Sequence, residues 1–323
     1  MDFLSKIDFG ELFGKVADLV GKVDWDDIWK KAKPVLNKAL DFLKKTPSIL
    51  LTLTVFLTLL TDPGAADTST SILVSEDVKT VIDASFMSEG LTTDGSVYYT
   101  SGSLPFAKYT ALAKYDVGTM KRVKYKIFPV NWDLIKKGYD RIGGISYYNG
   151  KLYAAMESVG GKAAPCIAVF SADSLSYETS YDLPASWFPD GIAWVAVDAN
   201  TGYLYTAAKS DAESIHAFQI NATMAHVVET DLADGAVLTN VNGGDFYKGV
   251  LYLSCNTHSS RKEIVKVDVK KGVVTPYMTR EVGSADAVAG DVTVFPSPYD
   301  GSLVHVSDYN GILGVYLRNY IEP

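Results

Sequence analysis

The chain has few of the residue groupings that identify a catalytic site. Its 323 residues contain no GxSxG, no HExxH, no CxxC, no phosphate-binding loop and no Rossmann glycine fingerprint. The absence of these motifs excludes the enzyme classes that depend on them. Cysteine is almost absent too, because Cys166 and Cys255 are the only two, which leaves room for one disulfide at most.

The chain also has no excess of basic charge. It carries 30 Lys and Arg against 38 Asp and Glu, for a net charge of −8, and the basic residues gather on no strand face. A nucleic-acid partner is therefore not expected.

A short phrase of glycine followed by apolar and aromatic residues occurs five times. Each copy follows a turn rich in Asn, Asp or Gly and opens a second strand, which is the pattern of a tight hairpin. The copies are spaced by 55, 52, 47 and 52 residues, a period typical of repeat architectures. They lie at Gly95–Tyr98, Gly150–Tyr153, Gly202–Tyr205, Gly249–Tyr252 and Gly301–Val304.

The repeats predict an all-β, five-bladed β-propeller, with six blades as the alternative count. Third strands are predicted near residues 111–115, 166–170, 214–218, 263–267 and 311–315, and fourth strands follow in the first four repeats. The fifth repeat ends at Pro323 without room for one, so Ile72–Ile82 is predicted to complete the last blade. A β-sandwich is the competing fold, but sandwiches do not repeat at a constant period. The two cysteines then fall in non-adjacent blades, which predicts separate buried thiols.

The residues before the propeller differ in character. Residues 1–46 form a predicted amphipathic helical lead that is rich in lysine towards its end. An uncharged segment follows at 47–61, then a linker at 62–71, and the predicted propeller covers 72–323. The uncharged segment has 15 residues, fewer than the ~20 that span a bilayer as a helix. It is interpreted as a signal-anchor that leaves the propeller outside the cytoplasm, with a cleaved signal peptide (and secretion) or a helical cap as alternatives.

The inner strands begin with polar residues, at Glu89, Asp140, Asp190, Asn240 and, after Gly290, Asp291. Oxygen ligands that converge on the propeller axis would suit a hard cation of the calcium kind. The same residues also cap turns, and glycine is needed wherever inner strands crowd. A second polar group, which loop polarity explains equally well, follows the second strands at Glu157, Asn256, His258 and Asp308.

Several of these phrases resemble the calcium-dependent propeller hydrolases, which include gluconolactonases, paraoxonases and strictosidine synthase-like proteins. The resemblance covers the propeller and rests on Ser88–Tyr98, Phe188–Ile192, Asn242–Phe246 and Asp291–Phe295. It implies calcium held by Glu89, Asn242 and Asp291, with Asp190 as a fourth ligand or a catalytic base, and hydrolysis of a lactone or ester. The family has six blades, and no histidine stands at an inner-strand start here.

Two functions follow as alternatives. The first is a binding or scaffold propeller that holds a small molecule or a protein at its mouth, with the membrane as a further partner through the N-terminal segment. The second is a calcium-dependent hydrolase, so whether the chain is an enzyme stays open. The lack of a convincing general base favours binding.

Overall fold

The computed structural model of the chain contains five antiparallel sheets of four strands each, arranged as the blades of a β-propeller. This confirms the all-β fold and the count of five blades. The structure describes residues 72–79, 85–104, 109–158, 163–256, 261–281, 288–309 and 314–321. The predicted helical lead, uncharged segment and linker lie outside the described residues.

Each blade runs from an inner strand at the ring axis to an outer strand at the rim. The strands are, in that order, β2 (Leu91–Thr93), β3 (Val97–Leu104), β4 (Tyr109–Asp116) and β5 (Arg122–Ile127) in blade 1; β6 (Arg141–Tyr148), β7 (Lys151–Glu157), β8 (Cys166–Ser171) and β9 (Tyr177–Asp182) in blade 2; β10 (Ala196–Asp198), β11 (Tyr203–Thr206), β12 (Ser214–Gln219) and β13 (Ala225–Asp231) in blade 3; β14 (Val241–Tyr247), β15 (Val250–Cys255), β16 (Arg261–Asp268) and β17 (Val273–Glu281) in blade 4; and β18 (Val288–Val294), β19 (Val304–Tyr309), β20 (Val315–Tyr320) and β1 (Leu73–Lys79) in blade 5.

The repeated glycine phrases form the tight turns between inner and second strands. In the β6–β7 hairpin Asn149 and Gly150 have φ of 48° and 76°, and in the β14–β15 hairpin Lys248 and Gly249 have φ of 51° and 79°. Two successive residues at positive φ give the turn whose twist matches antiparallel strands. These hairpins lie at the face opposite the strand starts, so they leave the mouth to other residues.

Five buried apolar clusters hold the ring together, one at each interface between neighbouring blades. The cluster of Leu152, Phe170 and neighbouring side chains also includes Tyr99 and Leu112 of blade 1, and the other four clusters likewise take residues from two blades. Sheets packed face to face bury most of their large side chains in this way, which accounts for the high aromatic content.

A short helix, α1 (Trp132–Lys137), connects blade 1 to blade 2. Asn131 caps its first turn through hydrogen bonds from the amides of Asp133 and Leu134, and Gly138 ends it in the left-handed conformation. The chain then enters β6, where the Asp140 amide donates to the Glu157 carbonyl. This connection fixes where Arg141 begins the inner strand.

The last blade is closed by the two ends of the propeller. β1 pairs antiparallel with β20, with Glu76 opposite Arg318, and the two side chains form an ion pair of 2.6 Å. This confirms that the segment beginning at residue 72 completes blade 5. The third strand of that blade is Val315–Tyr320 rather than the predicted 311–315, because Val315 pairs with Tyr309 and Tyr320 with Val304 of β19.

The two cysteines are separate, buried thiols, as predicted. Among the described residues no helix is long and apolar enough to cross a membrane.

Removal of the closing strand tests how far the ring depends on it. A chain that begins at residue 86 should melt at least roughly 10 °C below one that begins at residue 72, because it leaves β20 as an open edge and Arg318 without Glu76. Thermal unfolding followed by circular dichroism would measure the difference. Equal melting temperatures would contradict the closure by β1.

Candidate ligand-binding site at the propeller mouth

A cavity lies at the end of the ring where the inner strands begin. It measures about 70 Å³, several times the roughly 10–15 Å³ that one water molecule requires. All five blades contribute to it, through Ser88, Glu89, Arg141, Gly143, Gly144, Glu157, Ala193, Lys209, Asn242, Val288, Ala289 and Gly290. We refer to this cavity as the mouth.

Four charged side chains from three blades meet at the mouth. Glu89 lies 3.1 Å from the Nε of Arg141, and Glu157 is 3.9 Å from Arg141 Nη1. Lys209 also forms an ion pair with Glu157. The strand geometry explains the meeting. Arg141 opens an inner strand, whereas Glu157 ends the second strand β7 and Lys209 follows the second strand β11, and both second strands return to the same face.

The cations are more exposed than the carboxylates. The side chains of Arg141 and Lys209 are 31% and 41% exposed, whereas those of Glu89 and Glu157 are 15% and 8% exposed. Among the described residues the buried Nε of Arg141 finds no hydrogen-bond acceptor, so its 3.1 Å contact with Glu89 is a charge pair whose N–H does not point at the oxygen. The two cations therefore give the mouth its exposed charge, and the Nε of Arg141 lies buried without an acceptor among the described residues.

The surroundings of the Glu89 carboxyl bring its pKa close to neutral pH. Burial raises its pKa to about 7, while Arg141 and the hydrogen bond from Ser103 Oγ (2.7 Å) act in the opposite direction. Burial by itself would lower the pKa of Arg141, but Glu89 and Glu157 raise it overall. Arg141 thus stays charged, whereas Glu89 gains or loses a proton close to pH 7.

Asp291 lies one residue beyond the mouth, fully buried where inner strands meet. Its Oδ2 accepts hydrogen bonds from the amides of Leu91 (3.0 Å) and Ile145 (3.1 Å), and its Oδ1 accepts one from Val292 (2.8 Å). Burial raises the pKa of this carboxyl well above its ordinary value. One side chain of blade 5 is thereby bonded to blades 1 and 2.

The close approach of the inner strands requires glycine at this level. A Cβ added to Gly243 would lie 1.8 Å from Asp291 Oδ1, and one added to Gly143 would lie 2.6 Å from the Ala193 carbonyl. Both distances are shorter than any carbon–oxygen contact in a folded protein. The inner-strand glycines thus allow Asp291 and the mouth residues to come together.

The structure places the four predicted calcium ligands in three different settings. Glu89 and Asn242 line the mouth, and Asn242 donates through Nδ2 to the Ala289 carbonyl at 2.6 Å. Asp291 is turned towards backbone amides. Asp190 is exposed and is not among the described residues that line the mouth.

These residues do not fit a calcium site as they stand. Glu89 already faces Arg141, and backbone N–H groups occupy both oxygens of Asp291. No group of three or more His, Cys, Asp or Glu side chains in the described part of the chain could hold a metal ion. Calcium binding stays a prediction.

Reasoning from the sequence identified only part of the mouth. Glu157 was placed in a secondary patch, but it lies in the mouth, whereas Asp308 of that patch is buried in ion pairs with Arg280 and Arg318. Asn256 accepts a long hydrogen bond from Ala289, and His258 lies outside the described residues. Lys209 was missed, although it lies seven residues after Gly202, as Glu157 lies seven residues after Gly150.

No family model matches the chain, and no curated protein matches its sequence. Two of the solved structures that resemble this chain align with low scores. Hydrazine synthase of Kuenenia stuttgartiensis aligns with a TM-score of 0.40 and 13% identity over 76% of this chain, which spans 59% of that protein. The Dos1 propeller aligns with a TM-score of 0.39 and 11% identity over 72% of this chain and 67% of that one. The fold assignment here depends on the strand topology.

Substitution of Asp291 by alanine should destabilise the ring. It leaves the buried amides of Leu91 and Ile145 without an acceptor, at a cost of roughly 2–5 kcal/mol in the free energy of unfolding. Denaturant melts with and without calcium would measure it, and Asp190→Ala, which removes an exposed carboxylate, is the control. If calcium stabilises the wild type but not Asp291→Ala, then Asp291 is a metal ligand instead.

Substitution of Glu89 by glutamine should change how stability depends on pH. The pKa of Glu89 is raised from 4.5 to about 7, so between these values the folded chain holds a proton that the unfolded chain does not. Stability therefore falls as pH rises through this window, by up to about 3 kcal/mol. Glu89→Gln removes that loss, and its melting temperature relative to the wild type should be higher at pH 8 than at pH 5. A difference independent of pH would contradict the raised pKa.

Proposed function

We propose that this propeller is a binding protein and that its mouth receives a polar group of the ligand. The observation that supports the proposal is the convergence of all five blades on one cavity with four charged side chains. Burying charge costs desolvation energy, and apolar side chains would fill the centre of the ring at lower cost. Charged groups kept at such a place favour recognition over packing.

The mouth favours binding over hydrolysis. A hydrolase of the resembled kind needs a metal with an open position and a carboxylate or histidine free to activate water. Both carboxylates of the mouth face a cation, and the three described histidines are occupied elsewhere, His305 with Tyr98, and His216 and His226 with Trp187. The ligand, whether a small molecule or a protein, would then leave the mouth chemically unchanged.

We further propose that the N-terminal residues anchor the propeller to a membrane with the ring outside the cytoplasm. The lysine-rich lead and the uncharged run of 15 residues support this proposal. Flotation with liposomes should carry the full chain to the membrane fraction and leave a chain of residues 72–323 in solution. Equal recovery of both in solution would overturn it.

A ligand screen with a matched control tests the binding proposal. Compounds or partner proteins that raise the melting temperature of the wild type should lose that effect on Arg141→Gln and Lys209→Gln. Lys151→Gln, which removes an exposed lysine at the opposite end of β7, should behave as the wild type. Ligands that stabilise all three variants equally would show that binding occurs away from the mouth and overturn the proposal.

A further inference from the structure

We propose that the mouth binds the carboxylate group of a small acid, and that Glu89 takes up one proton as the acid binds. The proposal rests on the function proposed above, because it names the chemistry of the ligand at the same site. Its basis is the order in which the four charged side chains meet solvent.

An incoming ligand meets the cations before the carboxylates. Arg141 and Lys209 are 31% and 41% exposed, against 15% for Glu89 and 8% for Glu157. A cationic ligand would have to pass the guanidinium and the ammonium before it reached either glutamate. An anion is instead attracted to the mouth by the two exposed cations.

Arg141 has a donor to offer. In the part of the chain that the structure describes, its buried Nε–H has no hydrogen-bond acceptor, and such a group costs free energy until an acceptor arrives. The planar guanidinium matches the two oxygens of a carboxylate, whereas the carboxylate that it already faces is misaligned. A ligand carboxylate can therefore form the aligned bonds that Glu89 does not.

The charge balance explains why a proton accompanies the ligand. Within the described part of the chain, Arg141, Glu157 and Lys209 are the charged groups that act on Glu89, and the charges of these four groups cancel when Glu89 is ionised. Protonation of Glu89 leaves one net positive charge, which a monoanion neutralises. Since burial brings the pKa of Glu89 to about 7, this proton is taken up readily near neutral pH.

Size and charge both select a carboxylate. The cavity of about 70 Å³ admits a group of a few heavy atoms, and one net positive charge suits a monoanion better than a doubly charged phosphate. The remainder of the acid would lie outside the cavity.

Calorimetry with acetate on the full chain tests the proposal, at constant chloride and at pH 6, 7 and 8. Methylammonium serves as the cation of matched size. Acetate should bind to the wild type. Its affinity should fall by up to about tenfold per pH unit above 7, because the protonated fraction of Glu89 falls by that factor. Titrations in buffers of different ionisation enthalpy should show uptake of up to one proton at pH 7 to 8.

Three variants locate the binding and the proton. Arg141→Gln should weaken acetate about tenfold or more, and Lys151→Gln should not change it. Glu89→Gln, which mimics the protonated carboxyl, should bind acetate at least as tightly as wild type and lose the dependence on pH. Circular dichroism checks folding, and Lys209→Gln replaces Arg141→Gln if the latter fails to fold.

The outcomes separate the two proposals. Suppose that methylammonium binds and acetate does not, and that Arg141→Gln abolishes the methylammonium binding. This result would overturn the proposal of a carboxylate ligand, but it would support the mouth as a binding site. Acetate binding that Arg141→Gln leaves unchanged would overturn the inference as well. Failure of both acetate and the ligand screen to distinguish the mouth variants would overturn both proposals.

Discussion

The buried carboxylate of Asp291 bonds three blades at the centre of the ring. It accepts hydrogen bonds from the amides of Leu91 in blade 1 and Ile145 in blade 2. The carboxylate fits there only because the inner strand of blade 4 has Gly243 beside it. At the axis the amides of Leu91 and Ile145 take their acceptor from the Asp291 side chain, whereas the amide of Gly144 donates to the backbone carbonyl of Ala193 at 2.8 Å. The positions of the inner strands, and so of the mouth residues, depend on this arrangement.

The electrostatics of the mouth follow from the same geometry. Because inner strands lie this close, Glu89 and Glu157 are largely shielded from water and each needs a cation beside it. Arg141 supplies charge to both, and Lys209 to Glu157. The charges of these four side chains cancel, and one proton on Glu89 makes their sum positive. The packing of the ring therefore sets the charge that a ligand meets at the mouth.

Much of the fold could be predicted, because its signals are local. The Asn149–Gly150 turn and the alternation of strands around it depend on residues next to each other in the chain, and they repeat at a visible period. The closing strand could be predicted because the fifth repeat has no room for a fourth strand of its own. The mouth was predicted less completely: Glu89 and Asn242 were found, whereas Lys209 follows a strand end that carries no recognisable motif.

The sequence by itself determined five blades, their order and the polar starts of their inner strands, because turns and strand alternation are set by neighbouring residues. Only the tertiary structure decided which polar residues meet, since Glu89, Glu157 and Lys209 are far apart in the chain and come together through ring closure. It also decided their roles. Asp291 accepts hydrogen bonds from backbone amides, whereas Glu89 accepts one from Ser103 and lies beside the charge of Arg141, because packing brings those groups within reach of each buried carboxylate.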